Sequence, residues 1–393
     1  MKLFQRLLVA PAALGLLAPV SASANEVNLN EISNYSDVEN IEFANSFNNN
    51  ESIESTLLAG GEGLVDDHSH DGGFSSTTSA AFSVDFAIGA VDGKGVTTKR
   101  LSNTDFKTDG DETVQTAYGY QIDLSTSFTG EDALSVSLDA GAGGSALGEL
   151  DLNSGGDQLT VDGITYSFPL GEKMTVLVGD STDGSALYST ACVYGGFTNT
   201  LDDCGNFSSA FTSVTTDSSV SLSASYDIGN GFTGAFGYAG EGTGDEGLAS
   251  TAGTDYYGGQ LTYTADSFGA SVTYANVDTQ IAWGLNGYYT FDSNLPSVSV
   301  GYEFTENEGN TNDDTQWFAG LQWDELGAGT FGVAVGNKGP QRDGGTEEMA
   351  YEAFYTYPLN DGMTITPAIY VLENNLAGEE DETGFVVKTS FSF

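Results

Sequence analysis

Apolar and polar residues alternate along most of the chain after residue 77, with the two-residue period that is typical of a β-strand. The last segment, Thr383–Phe393, shows the pattern clearly. It places Phe385, Val387, Phe391 and Phe393 on one face and Val386, Lys388, Ser390 and Ser392 on the other. Sustained helical periodicity is absent after about Glu54. The pattern therefore predicts an all-β fold for the greater part of the chain.

Sixteen strand-like segments are predicted from Thr77 to the end of the chain. They are Thr77–Val91, Thr113–Phe128, Ala133–Ala142, Gln158–Phe168, Lys173–Asp180, Ser219–Ile228, Phe232–Ala239, Thr254–Thr264, Phe268–Val277, Thr279–Phe291, Pro296–Thr305, Thr315–Asp324, Gly329–Asn337, Glu348–Pro358, Met363–Glu373 and Thr383–Phe393.

The connectors between these segments are short after even-numbered segments and mostly long after odd-numbered ones. A soluble β-sandwich would also alternate, but short turns on one side and long loops on the other are typical of membrane barrels. The exception is the connector between the ninth and tenth segments, because it consists of Asp278 alone and is too short for an outer loop. The sequence predicts a transmembrane antiparallel β-barrel of sixteen strands with a short polar N-terminal extension, in which the last segment pairs with the first.

The start of the chain indicates export. Lys2 and Arg6 precede an apolar run from Leu7 to Val20, and small residues follow, so residues 1–24 are predicted to be a secretory signal peptide. Residues 25–74 are polar and acidic and are expected to form a periplasmic extension, with the barrel domain at 75–393. Localisation in the cell outer membrane follows from these two predictions together.

Acidic residues dominate the composition, with 56 Asp and Glu against 10 Lys and Arg. Such a surface excludes nucleic acid as a partner. The two histidines, His68 and His70, lie beside aspartates in the predicted extension. A His-x-His metal site is conceivable there, but solvated residues of an acidic linker are the simpler interpretation, so no metal site and no cofactor are expected.

Assigning the more apolar face of each strand outward, toward lipid, predicts which charged residues line the lumen. The inner wall then carries Asp85, Asp123, Asp139, Asp227, Glu303, Asp324, Glu348 and Glu352, with Lys388 as one basic residue among them. A wall of like charges predicts a pore that prefers cations. The alternative is that some of these acids lie at strand ends in the headgroup region and bind divalent ions.

The longest connector, Ser181–Ser218, follows the fifth segment and is therefore the third outer loop. It contains both cysteines of the chain, Cys192 and Cys204, which in an oxidising compartment are expected to form a disulfide. The third loop of sixteen-stranded porins folds into the barrel as a constriction. Asp202 and Asp203 are therefore candidates for the narrowest point, and the alternative is a stabilised loop that faces outward.

Basic residues cluster in the first outer loop. They are Lys94, Lys99, Arg100 and Lys107. They are expected to face the acidic residues of the third loop across the mouth, or more simply to neutralise neighbouring acids at the surface.

Three stretches carry a family resemblance: the N-terminal Met1–Leu14 with Glu26–Leu29, the short turn Ser127–Asp132, and the short turn Phe168–Lys173. Together with the terminal Phe393 they span nearly the whole chain and resemble the cyanobacterial outer-membrane porins, which are described as iron-uptake porins and are related to carbohydrate-selective porins. Members usually carry a surface-layer-homology module and a coiled coil before the barrel. About 50 polar, acidic residues occupy that place here.

The expected function is a water-filled diffusion channel for small solutes and inorganic ions, including iron, with no catalytic step. Outer-membrane lipid and two further copies of the chain in a homotrimer are the expected partners, with a weak peptidoglycan or periplasmic contact through residues 25–74. The alternatives are a barrel with a structural or adhesion role and a hydrolase with its site at the rim. A histidine-dependent site would need the extension to fold back, because both histidines precede the first strand.

Overall fold

The computed structural model describes residues 78–93, 96–98, 106–108, 113–142, 145–153, 156–206, 208, 220–240, 248–250, 253–277, 280–292, 294–307, 313–375 and 380–393. Within them lie sixteen wall strands: β1 (Thr78–Asp92), β2 (Gln115–Thr126), β3 (Ala133–Ala142), β4 (Thr160–Pro169), β5 (Met174–Asp180), β6 (Val220–Gly229), β7 (Phe232–Gly240), β8 (Asp255–Thr264), β9 (Phe268–Val277), β10 (Gln280–Tyr289), β11 (Ser297–Asn307), β12 (Asp314–Leu326), β13 (Gly329–Asn337), β14 (Met349–Asn360), β15 (Met363–Leu372) and β16 (Glu382–Ser392).

Each wall strand pairs antiparallel with its neighbours in sequence, and β16 pairs with β1 to close the cylinder. The closing register places Ser83 opposite Ser392, and the rings of Phe82 and Phe393 stack with centroids 5.4 Å apart. Closure leaves no free strand edge in the wall, as a barrel requires. The predicted sixteen-stranded antiparallel barrel is confirmed.

Three short strands lie outside the wall count. Val96–Thr98 and Phe106–Thr108 pair with each other in the first long loop, and Gln341–Arg342 pairs with the start of β12. β9 ends at Val277 and β10 begins opposite it at Gln280, so two residues separate these strands where the sequence predicted the single connector residue Asp278. No helix in the described residues has the length and hydropathy of a membrane-spanning segment.

The two faces of the wall differ as the alternation predicts. Large apolar side chains point outward and are exposed, among them Phe86, Ile88, Trp283, Leu285 and Ile369. Their neighbours in sequence point inward and are small or polar, as with Ala87 and Asn286. This outer belt has the chemistry of a surface that lies against hydrocarbon.

The turn between β2 and β3 is organised by one carboxylate. Asp132 is 6% exposed. Its Oδ1 accepts hydrogen bonds from the Phe128 and Thr129 amides at 3.0 and 2.7 Å and from the Ser127 hydroxyl at 2.8 Å. The Tyr166 hydroxyl of β4 donates to its Oδ2 at 2.8 Å. Burial acts to raise the pKa of Asp132, but these hydrogen bonds outweigh it and lower the pKa well below 3.8.

Replacing Asp132 with Asn is therefore expected to destabilise the barrel. Because the folded-state pKa lies below the unfolded one, ionised Asp132 contributes stability above about pH 4, and this contribution disappears as the pH falls toward the folded-state pKa. The unfolding temperature, followed by heat-modifiable gel mobility, should drop at pH 7 for Asp132→Asn. The difference from wild type should shrink in strong acid. Equal unfolding temperatures at pH 7 would contradict this role of Asp132.

Candidate functional site

The third outer loop, defined here as loop 3 (181–219), is described at residues 181–206 and 208. This described part enters the barrel and runs along its inner wall. Every second backbone amide of its first leg donates to a wall side chain, on β8, β9, β11, β12 and β14 in turn. The pairs are Ser189 with Gln260 Oε1 at 2.7 Å, Ala191 with Ser271 Oγ at 3.0 Å, Val193 with Ser299 Oγ at 3.1 Å, Gly195 with Gln322 Oε1 at 3.0 Å and Phe197 with Glu352 Oε1 at 3.0 Å. The loop thus covers the inner face of β8–β14.

The second leg of loop 3 returns over the same wall. The Asn206 side chain donates to the Tyr302 carbonyl at 3.1 Å, and the Ser208 amide donates to Glu303 Oε2 at 2.6 Å. On this wall a side chain at Gly301 would collide with the Cys204 carbonyl and with Asn206, so the glycine permits the close approach. The two legs are joined by the Cys192–Cys204 disulfide, with Cα atoms 6.2 Å apart, which confirms that predicted pair.

An apolar cluster fills the space between the loop and the wall. Tyr194, Phe197, Leu201 and Cys204 of loop 3 are at most 6% exposed and belong to one cluster with inward-facing side chains of seven wall strands. The wall members are Ala87, Val91, Ala117, Phe318, Ala334, Ala350, Phe354, Tyr370, Leu372 and Val386. Burial of this many apolar groups holds loop 3 inside the barrel more strongly than the hydrogen bonds alone would.

Part of the second outer loop, defined here as loop 2 (143–159), also enters the barrel. Its 3-10 turn Ser145–Leu150 and the residues after it bury Ala146, Leu147, Leu150 and Leu152 in the same cluster. The Asn199 amide of loop 3 donates to the Glu149 carbonyl at 2.9 Å, and the Thr200 hydroxyl donates to Glu149 Oε2 at 2.7 Å. Loops 2 and 3 therefore meet within the lumen, an arrangement that the sequence interpretation missed.

The wall that loop 3 leaves uncovered carries acids. Asp85, Asp123 and Asp139 point inward from β1, β2 and β3 and keep intermediate exposure. Asp123 accepts from Ser137 Oγ at 2.6 Å and from Gln121 Nε2 at 3.0 Å, and Asp139 accepts from Thr160 Oγ1 at 2.7 Å. These bonds fix the carboxylates while leaving them in contact with water.

Asp162 of β4 belongs with these three acids, although it was not among the residues predicted to line the lumen. The register between β3 and β4 shifts at this point, so that Ser137 pairs with Gly163 but Leu138 pairs with Val161. Such a bulge turns the extra residue to the other face. Asp162 lines an inward cavity with Ser137 and Thr165, and the charges that act on it include Asp123 and Asp139. We call Asp85, Asp123, Asp139 and Asp162 the acidic wall.

Two of the predicted lumen acids lie beneath loop 3 instead of facing water. Glu303 is 1% exposed and Glu352 is 3% exposed, and both accept hydrogen bonds from the loop. Glu352 takes four, from the Tyr194 hydroxyl at 2.7 Å, the Phe197 amide, and the Thr198 amide and hydroxyl at 2.8 and 2.6 Å. Burial and the charge of Glu352 raise the pKa of Tyr194 above 10.0, so this hydroxyl remains a donor.

The other predicted acids lie near the ends of the barrel. Asp227 and Asp324 are exposed at the short-turn end. Asp227 accepts a hydrogen bond from the Gly229 amide at 2.8 Å, and Asp324 accepts one from Gln322 Nε2 at 2.7 Å. Glu348 precedes β14 at the long-loop end, and its Oε1 accepts from the Asn375 amide at 2.9 Å. In the described part of the chain no three potential ligands are grouped to hold a metal ion.

Two of the predicted site residues lie near the tip of loop 3: Lys388 on β16, and Asp202 in the loop itself. The Lys388 ammonium points inward from β16 and sits 5.5 Å from the centroid of the Phe197 ring. Asp202 closes the turn at the tip, where its carbonyl accepts from the Gly205 amide at 2.8 Å. Lys94, Lys99, Arg100, His68, His70, and the side chains of Lys107 and Asp203, fall outside the described residues, as do residues 1–24 and 25–74.

The model of one protein family, described as Gram-negative porin, matches residues 83–375. The chain belongs to this family. The match runs from β1 to the end of β15, so it includes both inward loops and the acidic wall. No curated protein sequence matches the porin.

Solved structures show the same fold. Pseudomonas putida OprB, solved at high pH, superposes with a TM-score of 0.60 at 10% identity, over 81% of this chain and 94% of that one. An engineered variant of Rh. blastica porin superposes with a TM-score of 0.54 at 15% identity, over 80% of this chain and all of the other. The porin is thus an outer-membrane channel for small solutes, and its family and fold point to a channel instead of an enzyme.

Proposed function

We propose that this porin is a passive channel that prefers cations and that its solutes pass between the acidic wall and loop 3. The single observation that carries the proposal is the placement of four inward carboxylates on four neighbouring strands, β1 to β4, opposite the wall that loop 3 covers. Each charge contributes about 1 kcal/mol at most through water. Four acting together on one passage favour cations over anions.

The distribution of basic residues supports the same preference. Among the side chains that the structure describes, the basic ones are Lys173, Lys338, Arg342 and Lys388. Lys338 binds the Glu373 carbonyl at 3.1 Å in the long-loop region, and Arg342 lies 4.0 Å from Asp314. Lys388 alone of these four points into the lumen, and its charge is directed at Phe197. Asp202 adds a negative charge at the tip of loop 3.

We extend the proposal to the organism and to the physiological solutes. The resemblance of residues 127–132 and 168–173 to the cyanobacterial porins supports passive entry of small inorganic cations, iron among them. The same resemblance supports removal of residues 1–24, a periplasmic place for residues 25–74, and a homotrimer. Liposomes that contain the porin and a trapped iron chelator should take up ferrous ions faster than empty liposomes, and equal uptake would argue against an iron role.

The channel is tested by reconstituting the porin in a planar bilayer. We expect ohmic single-channel currents, because the passage is lined by fixed side chains, and a zero-current potential of the sign set by the cation gradient when KCl differs across the membrane. A zero-current potential of the opposite sign would overturn the cation preference. Absence of current from heat-modifiable, folded barrels would overturn the channel itself.

A further inference from the structure

The first leg of loop 3 is held in a fixed register on the wall. Its amides at 189, 191, 193, 195 and 197 bind successive wall side chains, as described above, so the leg is an extended segment laid across five strands. The first four acceptors are neutral, from Gln260, Ser271, Ser299 and Gln322. The fifth acceptor is the carboxylate of Glu352, at the point where the leg turns back.

Glu352 differs from the other four in the number and kind of its partners. Its two oxygens accept from two amides and two hydroxyls, all between Tyr194 and Thr198. A carboxylate is an acceptor at both oxygens, whereas a glutamine amide would present two N–H donors to this set of donors. Hydrogen bonds to a charged acceptor are also about twice as strong as neutral ones. The tip of loop 3 is therefore matched to Glu352 and not to an amide.

We infer that Glu352 is the positioning residue of the constriction and holds the tip of loop 3 against β14. The passage between loop 3 and the acidic wall therefore keeps a constant width. Lys388 supports the loop tip from β16, where its ammonium faces the Phe197 ring at 5.5 Å. The inference rests on the proposed function only in that a constricted pore exists. Glu352 sets the geometry of that pore, and the charge that selects ions belongs to the acidic wall.

The test is Glu352→Gln in a planar bilayer, with the Cys192–Cys204 disulfide intact. We expect a severalfold rise in open-channel current variance and a larger mean conductance, because the tip of loop 3 is no longer held against β14. The zero-current potential in a KCl gradient should stay nearly unchanged. A shifted zero-current potential with unchanged variance would show that Glu352 acts as a pore charge and would overturn the inference.

A second readout does not depend on ion selectivity. Cys204 is fully buried beneath the loop tip, so a small thiol should reduce the Cys192–Cys204 bridge severalfold faster in folded Glu352→Gln than in wild type. Glu325→Gln, an exposed residue near the short-turn end of β12, is the matched control and should reduce at the wild-type rate. Equal rates for both variants would overturn the inference, whatever the selectivity of the pore.

Two further variants keep the test valid if Glu352→Gln fails to fold. Thr198→Val and Tyr194→Phe each remove one hydroxyl donor to Glu352 and keep its charge. Each should raise current variance and the reduction rate in the same direction, by less than the Gln variant. Wild-type values for both would overturn the inference. A wild-type porin without cation preference would refute the proposed function and leave these two readouts unaffected.

Discussion

The triple variant Asp123→Asn, Asp139→Asn, Asp162→Asn should lose most of the cation preference of the porin. The three carboxylates point inward from adjacent strands. Asp123 and Asp139 accept hydrogen bonds from neighbouring hydroxyls and an amide. Aspartate and asparagine have nearly the same shape, so the substitutions remove charge with little change of packing. Each contributes at most about 1 kcal/mol. Together they are the largest block of charge along the proposed path.

The measurement is the zero-current potential across a KCl gradient, which should move toward zero in the triple variant. The shift should be greatest in dilute salt, because at 0.1 M charges are screened beyond about 10 Å. A matched control changes three exposed acids near the short-turn end, Asp266→Asn, Glu325→Gln and Asp361→Asn. If the control moves the potential as far as the wall variant does, the acidic wall does not select ions.

Removing the bridge in loop 3 should have the second largest effect. In Cys192→Ser, Cys204→Ser the two legs of the loop are no longer joined, and closing a ring of this length is worth about 3 kcal/mol. The barrel strands lose no partner, so heat-modifiable mobility should persist. Single-channel currents should fluctuate more, and a protease added to folded porin should cut loop 3 faster.

Wild-type porin treated with a small thiol is the control for the bridge, because it opens the same link without placing serine in a buried position. It should behave like the double variant after reduction is complete. Quiet currents and slow cleavage in both would mean that the wall contacts of loop 3 hold the constriction without the bridge.

The barrel was predictable from sequence because its signals are local. Alternation with period two defines each strand, and turns such as Ser127–Asp132 carry their own hydrogen-bonding groups. The strand bounds agree to within a few residues for all sixteen segments, including the two on either side of Asp278. The outward apolar face follows from the same alternation.

The candidate site was less predictable, because it depends on contacts between distant residues. Asp162 was not among the predicted lumen acids, because one bulge interrupts the alternation there. The isolated Gly163 beside it is the one local signal of that bulge. Glu303 and Glu352 lie on the inner side of the wall, but what covers them is set by loop 3, which lies far away in sequence. The entry of loop 2 had one signal, the apolar Ala146, Leu147, Leu150 and Leu152 in a polar connector.

The register of loop 3 also dictates an order of assembly. The loop leaves the wall after β5, yet the side chains that receive it lie 71 to 155 residues later in the chain. The five acceptors lie on five different strands, so loop 3 reaches its register only when those strands stand side by side. The contact that closes the wall, Ser83 with Ser392, spans a still longer stretch of chain. The width of the passage is therefore decided by strands that follow loop 3 in the sequence, and a defect in any of β8, β9, β11, β12 or β14 would reach the pore through the loop.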